Sequence, residues 1–240
     1  MDKEIDEEPE KVFDPAAYIK EVPGASKNMP SARVRLKYSK LSPLSLLSHN
    51  ELMTVFFRAI SRAGLPILFS EGFNPHPKLS FGPALAVGVE SEAEILDIEL
   101  SYGIDLGLVV KGLNHTLPAG VRILEGRILR NDEPAAGVGI TSFTYEAQAP
   151  DEFAGNLDES VSAFLAAEAA VVSRKSDKGT KELDIRPMVR DITVTGPRTF
   201  RFVLQESAGK SAKPHEIGQA LFGMSPEAAR ALKVKRTALN

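Results

Sequence analysis

One order of elements recurs in the hydrophobic pattern, and few folds accommodate it. Arg33 to Tyr38 alternates charged and apolar residues, the period of a strand with one buried face and a basic face outward. Ser48 and Glu51 make a capping box, Leu47 and Leu52 can form the hydrophobic staple, and Leu52, Val55, Phe56, Ala59, Ile60 and Ala63 recur at helical spacing until Gly64. Leu65 to Phe69 reads as a short strand. Ala84 to Val89 followed by Glu94 to Leu100 reads as further strand, broken between Gly88 and Ala93. Asp105 to Leu117 is a second helix with Leu106, Val109, Val110 and Leu113 on its apolar face, and Val121 to Leu129 closes the unit. Strand, helix, strand, strand, helix, strand is the ferredoxin-like order, in which four antiparallel strands carry two helices on one face.

After a loop over 131–138 the order returns. Ile140 to Ala147 alternates as a strand, Leu157 to Ala169 is an alanine-rich helix, and Ala170 to Arg174 begins another strand before a polar turn over Lys175 to Thr180. Glu182 to Val189, Asp191 to Thr195 and Thr199 to Gln205 are extended, His215 to Phe222 is helical, and Val234 to Leu239 can close the sheet. The chain is therefore expected to be α+β, with two tandem ferredoxin-like units built on antiparallel sheets. The first covers 31–130 and the second, diverged and about one strand longer, covers 138–240.

The densest motif joins two strands of the first unit: Ser70-Glu71-Gly72-Phe73-Asn74-Pro75-His76-Pro77-Lys78-Leu79-Ser80-Phe81. Pro75 and Pro77 fix their own φ and push Asn74 and His76 out of the helical region, which makes Asn74 to Lys78 a stiff, extended hook. Gly72 allows the sharp turn before it. The hook displays an amide, an imidazole and an ammonium group together. A purely structural hairpin, in which Asn74 and His76 serve the backbone of the turn, explains the same residues.

Composition narrows the chemistry. The 240 residues contain no cysteine, so the chain offers no disulfide, thiolate zinc site, cysteine nucleophile or cysteine-bound iron–sulfur cluster. The four histidines, at 49, 76, 115 and 215, have no short metal-ligand spacing, and the only metal set worth naming is one assembled in space from His49, His76 and Asp97. No residue pattern specifies a cofactor. No apolar run approaches the roughly 18 residues of a membrane span, and the start has no signal-peptide character, which together predict a cytoplasmic protein without a membrane. The net charge is −3, but residues 1–12 hold six acids against Lys3 and Lys11, a charge of −4 that leaves the remaining chain at +1. Residues 1–30 are expected to be a disordered acidic tail and linker, with at most a short helical turn near Ala16 to Lys20.

The combination of Leu47-Ser48-His49, Arg58, Arg62-Ala63-Gly64-Leu65-Pro66, the segment Ser70 to Lys78, Ser80-Phe81, Gly88, Ser91, Glu94 and Asp97 resembles the radical SAM-linked family of unknown function. Its members occur as separate proteins or as the carboxyl-terminal part of cobalamin-binding radical SAM proteins. The resemblance is specific over residues 33–100 and continues more weakly through Arg174-Lys175 and Leu183 to Pro187. Asn50-Glu51 stands where the family more often has leucine and aspartate, which preserves the acid of the capping box. The resemblance implies a radical SAM enzyme as partner and a setting in RNA or translation chemistry. It implies no catalytic residue.

The resemblance thus implies an accessory protein of a radical SAM enzyme in RNA modification or processing, and the basic residues point to RNA binding. Residues 171–201 hold eight Lys or Arg against four acids, enough to attract a phosphate backbone, although no aromatic ribonucleoprotein motif lies on a strand. Anion or RNA binding is assigned to His49, Arg58, Arg62, Asn74, His76, Lys78, Arg174 and Lys175. Because the chain returns from Leu65 towards the start of the first helix, contact of the hook with His49 and the helix amino terminus ranks first, and Arg58 and Arg62 second. The alternatives are a phosphodiester-cleaving RNA enzyme with His76 as acid or base and Lys78 stabilising negative charge, or a purely protein–protein interaction module.

Overall fold

The structure, a computed structural model, describes residues 31–71, 75–101, 105–176 and 179–240, leaving the side chains of Lys175 and Ser176 undescribed. The expected acidic tail and its helical turn lie outside the described residues, as does Asn74.

The first half runs β1 (Ser31–Lys40), α1 (His49–Arg62), β2 (Leu79–Phe81), β3 (Glu90–Ser101), α2 (Leu106–Thr116) and β4 (Val121–Ile128). The second runs β5 (Ser142–Gln148), α3 (Leu157–Ala166), β6 (Val171–Ser176), β7 (Gly179–Asp184), β8 (Val189–Gly196), β9 (Thr199–Gln205), α4 (Ile217–Phe222), α5 (Pro226–Ala229) and β10 (Val234–Leu239). The fold is mixed α+β with a mostly antiparallel sheet. One sheet spans both halves in the order β4-β1-β3-β10-β5-β9-β8, with β2 also on β3, while β6 and β7 form a separate hairpin. Within it the first half contributes β4-β1-β3-β2 and the second β10-β5-β9-β8. The halves meet where β10 pairs with β3, the one parallel pairing among the described strands, through Lys235 opposite Glu90 and Arg236 opposite Ser91.

Local signals set the helices. Ser48 Oγ accepts from the Glu51 amide at 3.4 Å, and Glu51 Oε2 accepts from the Ser48 amide at 2.8 Å, so the capping box opens α1. Gly64, at φ +61°, supplies the left-handed residue that ends it. Asp105 caps α2 by accepting from Gly107 and Leu108, and Asn156 does the same for α3. The stripe of α1 then buries Leu52, Phe56, Ala59 and Ile60 against Leu36, Leu96 and Ile98 of the sheet.

Several local expectations change, among them the extended segment Glu182 to Val189, which a 3-10 turn over Arg186–Met188 interrupts. Leu65 to Phe69 forms single bridges, Ile67 to Leu100 and Phe69 to Pro77, and the strand β2 directly follows the hook. The reason is that Leu68 donates to Glu99 O while Glu99 donates to Lys78 O. Both flanks of the hook thus lie on consecutive stretches of β3, and the hook is an excursion from one edge strand. The segment 84–89 is irregular, with Gly88 at φ +86°. It does not extend the first half: Leu85 and Val89 pack into the second core, with Tyr145, Phe202, Leu204 and Val234. No helix among the described residues is long and apolar enough to cross a membrane.

Candidate functional site

Period-two alternation sends Arg33 and Arg35 to the sheet face opposite the helices, the basic face expected from sequence, and there each meets an acid. Arg35 donates to both oxygens of Asp97, at 2.7 and 2.8 Å, which raises the pKa of the guanidinium. Asp97 also accepts the Ala136 amide at 2.8 Å, and Arg33 and Arg35 donate to the carbonyls of Glu133 and Pro134. Arg127 pairs with Glu133 at 2.7 Å, and its hydrogen bonds, with one from the Arg130 amide, hold the Glu133 carboxyl down to about 2. The loop between β4 and β5 is thereby clamped over this face, and the basic charge is spent on it.

The hook follows the same alternation. Leu79 and Phe81 turn towards the core cluster and Lys78 turns outward, where its ammonium pairs with Glu99 at 3.0 Å. His76 is exposed, its amide donating to Ser70 Oγ and its carbonyl accepting from the Ser70 amide. His49 lies on the helix side, its ring edge-on to Phe81 at 5.3 Å, and Phe81 in turn meets Phe56 at 5.7 Å. What the hook brings to His49 is therefore a phenyl ring, while Lys78 is on the other face of the strand. His49 and Asp97 are also on opposite faces of the sheet. No group of three or more His, Asp or Glu among the described residues is placed to hold a metal ion.

The expected basic ligands are largely in structural use. Arg62 donates to Thr116 O at 2.6 Å and so closes the carboxyl end of α2; Arg58 is exposed. Arg174 grips both oxygens of Glu216 at 2.7 Å and donates to Ser211 O, tying the β6–β7 hairpin to the turn before α4. Farther along the basic segment, Arg186 lies over the Phe164 ring and donates to Leu165 O, and Arg198 donates to the carbonyls of Ala149 and Pro150. The Lys175 side chain and Lys178 are outside the described residues.

The residues that do converge are not among the expected site residues, although Glu94 is one of those that carry the resemblance. Arg236, 2% exposed, donates to Glu94 at 3.0 and 3.3 Å, to Tyr145 Oη at 3.2 and 3.3 Å, and to the carbonyls of Pro83 and Ala84. Its guanidinium lies 4.6 Å from the Phe143 ring centroid. Burial pushes the Tyr145 hydroxyl up and keeps it protonated against the opposing pull of Arg236. On the first-half side of Glu94, burial pushes the Tyr38 hydroxyl up and the Lys40 ammonium down, and Lys40 donates to Leu47 O at 2.6 Å. One sequence signal was available: Val234 and Arg236 share a strand face, so an arginine stands in a core position.

Beside this network a cleft of about 770 Å³ opens at the seam. Phe143, Tyr145, Leu204 and Arg236 form its floor. Pro83 to Ala86 and Ser211 to Pro214 line it as well. Arg190 and Lys213 line it too; both are exposed and make no side-chain hydrogen bond or ion pair among the described residues. Such a site combines aromatic surface with free positive charge, which suits a flat, anionic ligand.

Residues 33–214 match the model of a family described as an uncharacterized protein conserved in bacteria, DUF2344. No curated protein matches the sequence.

Proposed function

The chain belongs to this family of uncharacterized proteins conserved in bacteria, and we propose that it is an RNA-binding accessory protein of a radical SAM enzyme, acting in RNA modification or processing. The observation that carries the RNA half is the seam cleft with Arg190 and Lys213 unspent at its edge, whereas Arg33, Arg35, Lys78 and Arg174 are committed to carboxylates. The two halves read as ferredoxin-like units over 31–130 and 138–240. In support, both give the spatial order fourth, first, third, second strand once the β6–β7 hairpin is counted as an insertion.

The partner half rests on the resemblance over residues 33–100. A second surface suits it: a groove of about 300 Å³ between α1 and the hook, lined by Phe57, Ile60, Leu65, Ile67, Phe69 and Pro77. Phe69 is 53% exposed there. Exposed apolar surface of this kind is where one protein meets another. No cysteine is available in these 240 residues for a cluster, so the radical chemistry falls to the partner.

The test is twofold. Binding of a labelled single-stranded RNA should weaken as salt rises, by about 0.7 in log–log slope for each phosphate neutralised. Absence of binding at low salt removes the RNA half. Affinity purification from native cells, with protein and RNA both identified, should recover a radical SAM enzyme; recovery of RNA without one removes the partner half.

A further inference from the structure

We propose that the seam cleft is a single-nucleotide site, seating one unpaired base against Phe143 and its phosphate against Arg190 and Lys213. This rests on the RNA reading above and adds what is recognised. At about 770 Å³ the cleft falls in the size range of small-ligand sites, roughly 300–1,000 Å³, and accepts a nucleotide but not a duplex. Its floor is fixed in advance. Arg236 covers the Phe143 ring at 4.6 Å and is itself held by Glu94, Tyr145 and two carbonyls, so the ring that would stack a base costs little to order on binding.

The charge is arranged to match. Arg236 is neutralised by Glu94, whereas Arg190 and Lys213 are exposed and have no side-chain partner among the described residues, with Glu206 as the acid among the lining residues. A base can reach Phe143 only when it is out of a helical stack, so the site selects single strands or flipped residues. The shared chemistry, a planar base with a phosphate, arises either from a residue of an RNA strand or from a free mononucleotide.

The experiment uses the full chain. A single-stranded oligonucleotide carrying 4-thiouridine is cross-linked and mapped, its affinity is measured beside that of the corresponding duplex, and UMP and AMP are titrated while amide shifts are followed. Ser211→Trp, at an exposed position, blocks the cleft, and Arg190→Ala with Lys213→Ala removes its charge. Cross-links within 140–143 and 211–213, with losses of about tenfold in single-strand affinity in each variant and weaker duplex binding, support the site. Cross-links confined to the β6–β7 hairpin or the outer sheet face, with affinity unchanged in the variants, overturn it and leave the RNA reading intact. If no RNA binds, the RNA reading fails; mononucleotide shifts in the cleft that Ser211→Trp abolishes then support a free-nucleotide site, and their absence overturns the proposal.

Discussion

Glu94 on β3 and Arg236 on β10 form an ion pair of 3.0 Å across 142 residues of sequence, with 5% and 3% of their side chains exposed. The pair lies where the halves are joined by only two parallel partners, Lys235 to Glu90 and Arg236 to Ser91. Taking both charges out of water is expensive. The compensation is geometric: Arg236 meets a carboxylate, a hydroxyl and two carbonyls, and its flat face meets Phe143.

Truncating one partner should therefore harm the fold more than replacing both. Glu94→Ala leaves Arg236 buried without its counter-charge and is expected to cost about 3–5 kcal/mol in urea unfolding. The double variant Glu94→Leu with Arg236→Met should recover much of that loss. A single variant within about 0.5 kcal/mol of the parent would show that the pair does not hold the seam.

Arg174 should behave as an anchor for Glu216. Arg174→Ala strands a carboxylate that is 1% exposed and is expected to cost about 1–3 kcal/mol, the guanidinium being partly open to solvent. Arg174→Lys should not restore it, because an ammonium cannot make the bidentate grip. Equal stability of all three proteins, by thermal unfolding, would remove this role.

The outer face gives a local prediction. Asp97→Asn weakens the link to Arg35 and should loosen the loop it holds through the Ala136 amide. Hydrogen exchange at Ala136 should speed up by about tenfold or more while amides of α1 keep their rates. Uniform acceleration across the chain would show instead that Asp97 supports the whole first half.

His215 ties stability to pH. Burial lowers its pKa, with Lys213, Arg230 and Arg174 acting the same way and Glu216 opposing. The unfolded chain then takes up a proton near pH 6.5 that the folded chain refuses. The His215 contribution is full above about pH 6.5 and is lost as pH falls from there through the folded pKa. His215→Gln should reduce the stability difference between pH 7.5 and pH 5. An unchanged difference would exclude the imidazole as its source.

The sequence by itself determined what depends on neighbours a few residues away. The capping box of Ser48 and Glu51, the apolar stripe of α1 and the strand Val234–Leu239 follow from side-chain period and local hydrogen bonding, and the structure has them there. Partners distant along the chain were decided only by tertiary structure. The pairing partner β3 decided that β2 would be Leu79–Phe81, because both flanks of the hook satisfy their backbone groups on consecutive residues of one strand. The fate of each charge was decided the same way. A sequence displays Arg33, Arg35, Lys78 and Arg174 as available cations, but each finds a carboxylate at least 21 residues away, at Asp97, Glu99 or Glu216, once the sheet and the hairpin bring them together. Arg190 and Lys213 are left at the cleft for the same reason: no folded neighbour among the described residues reaches them.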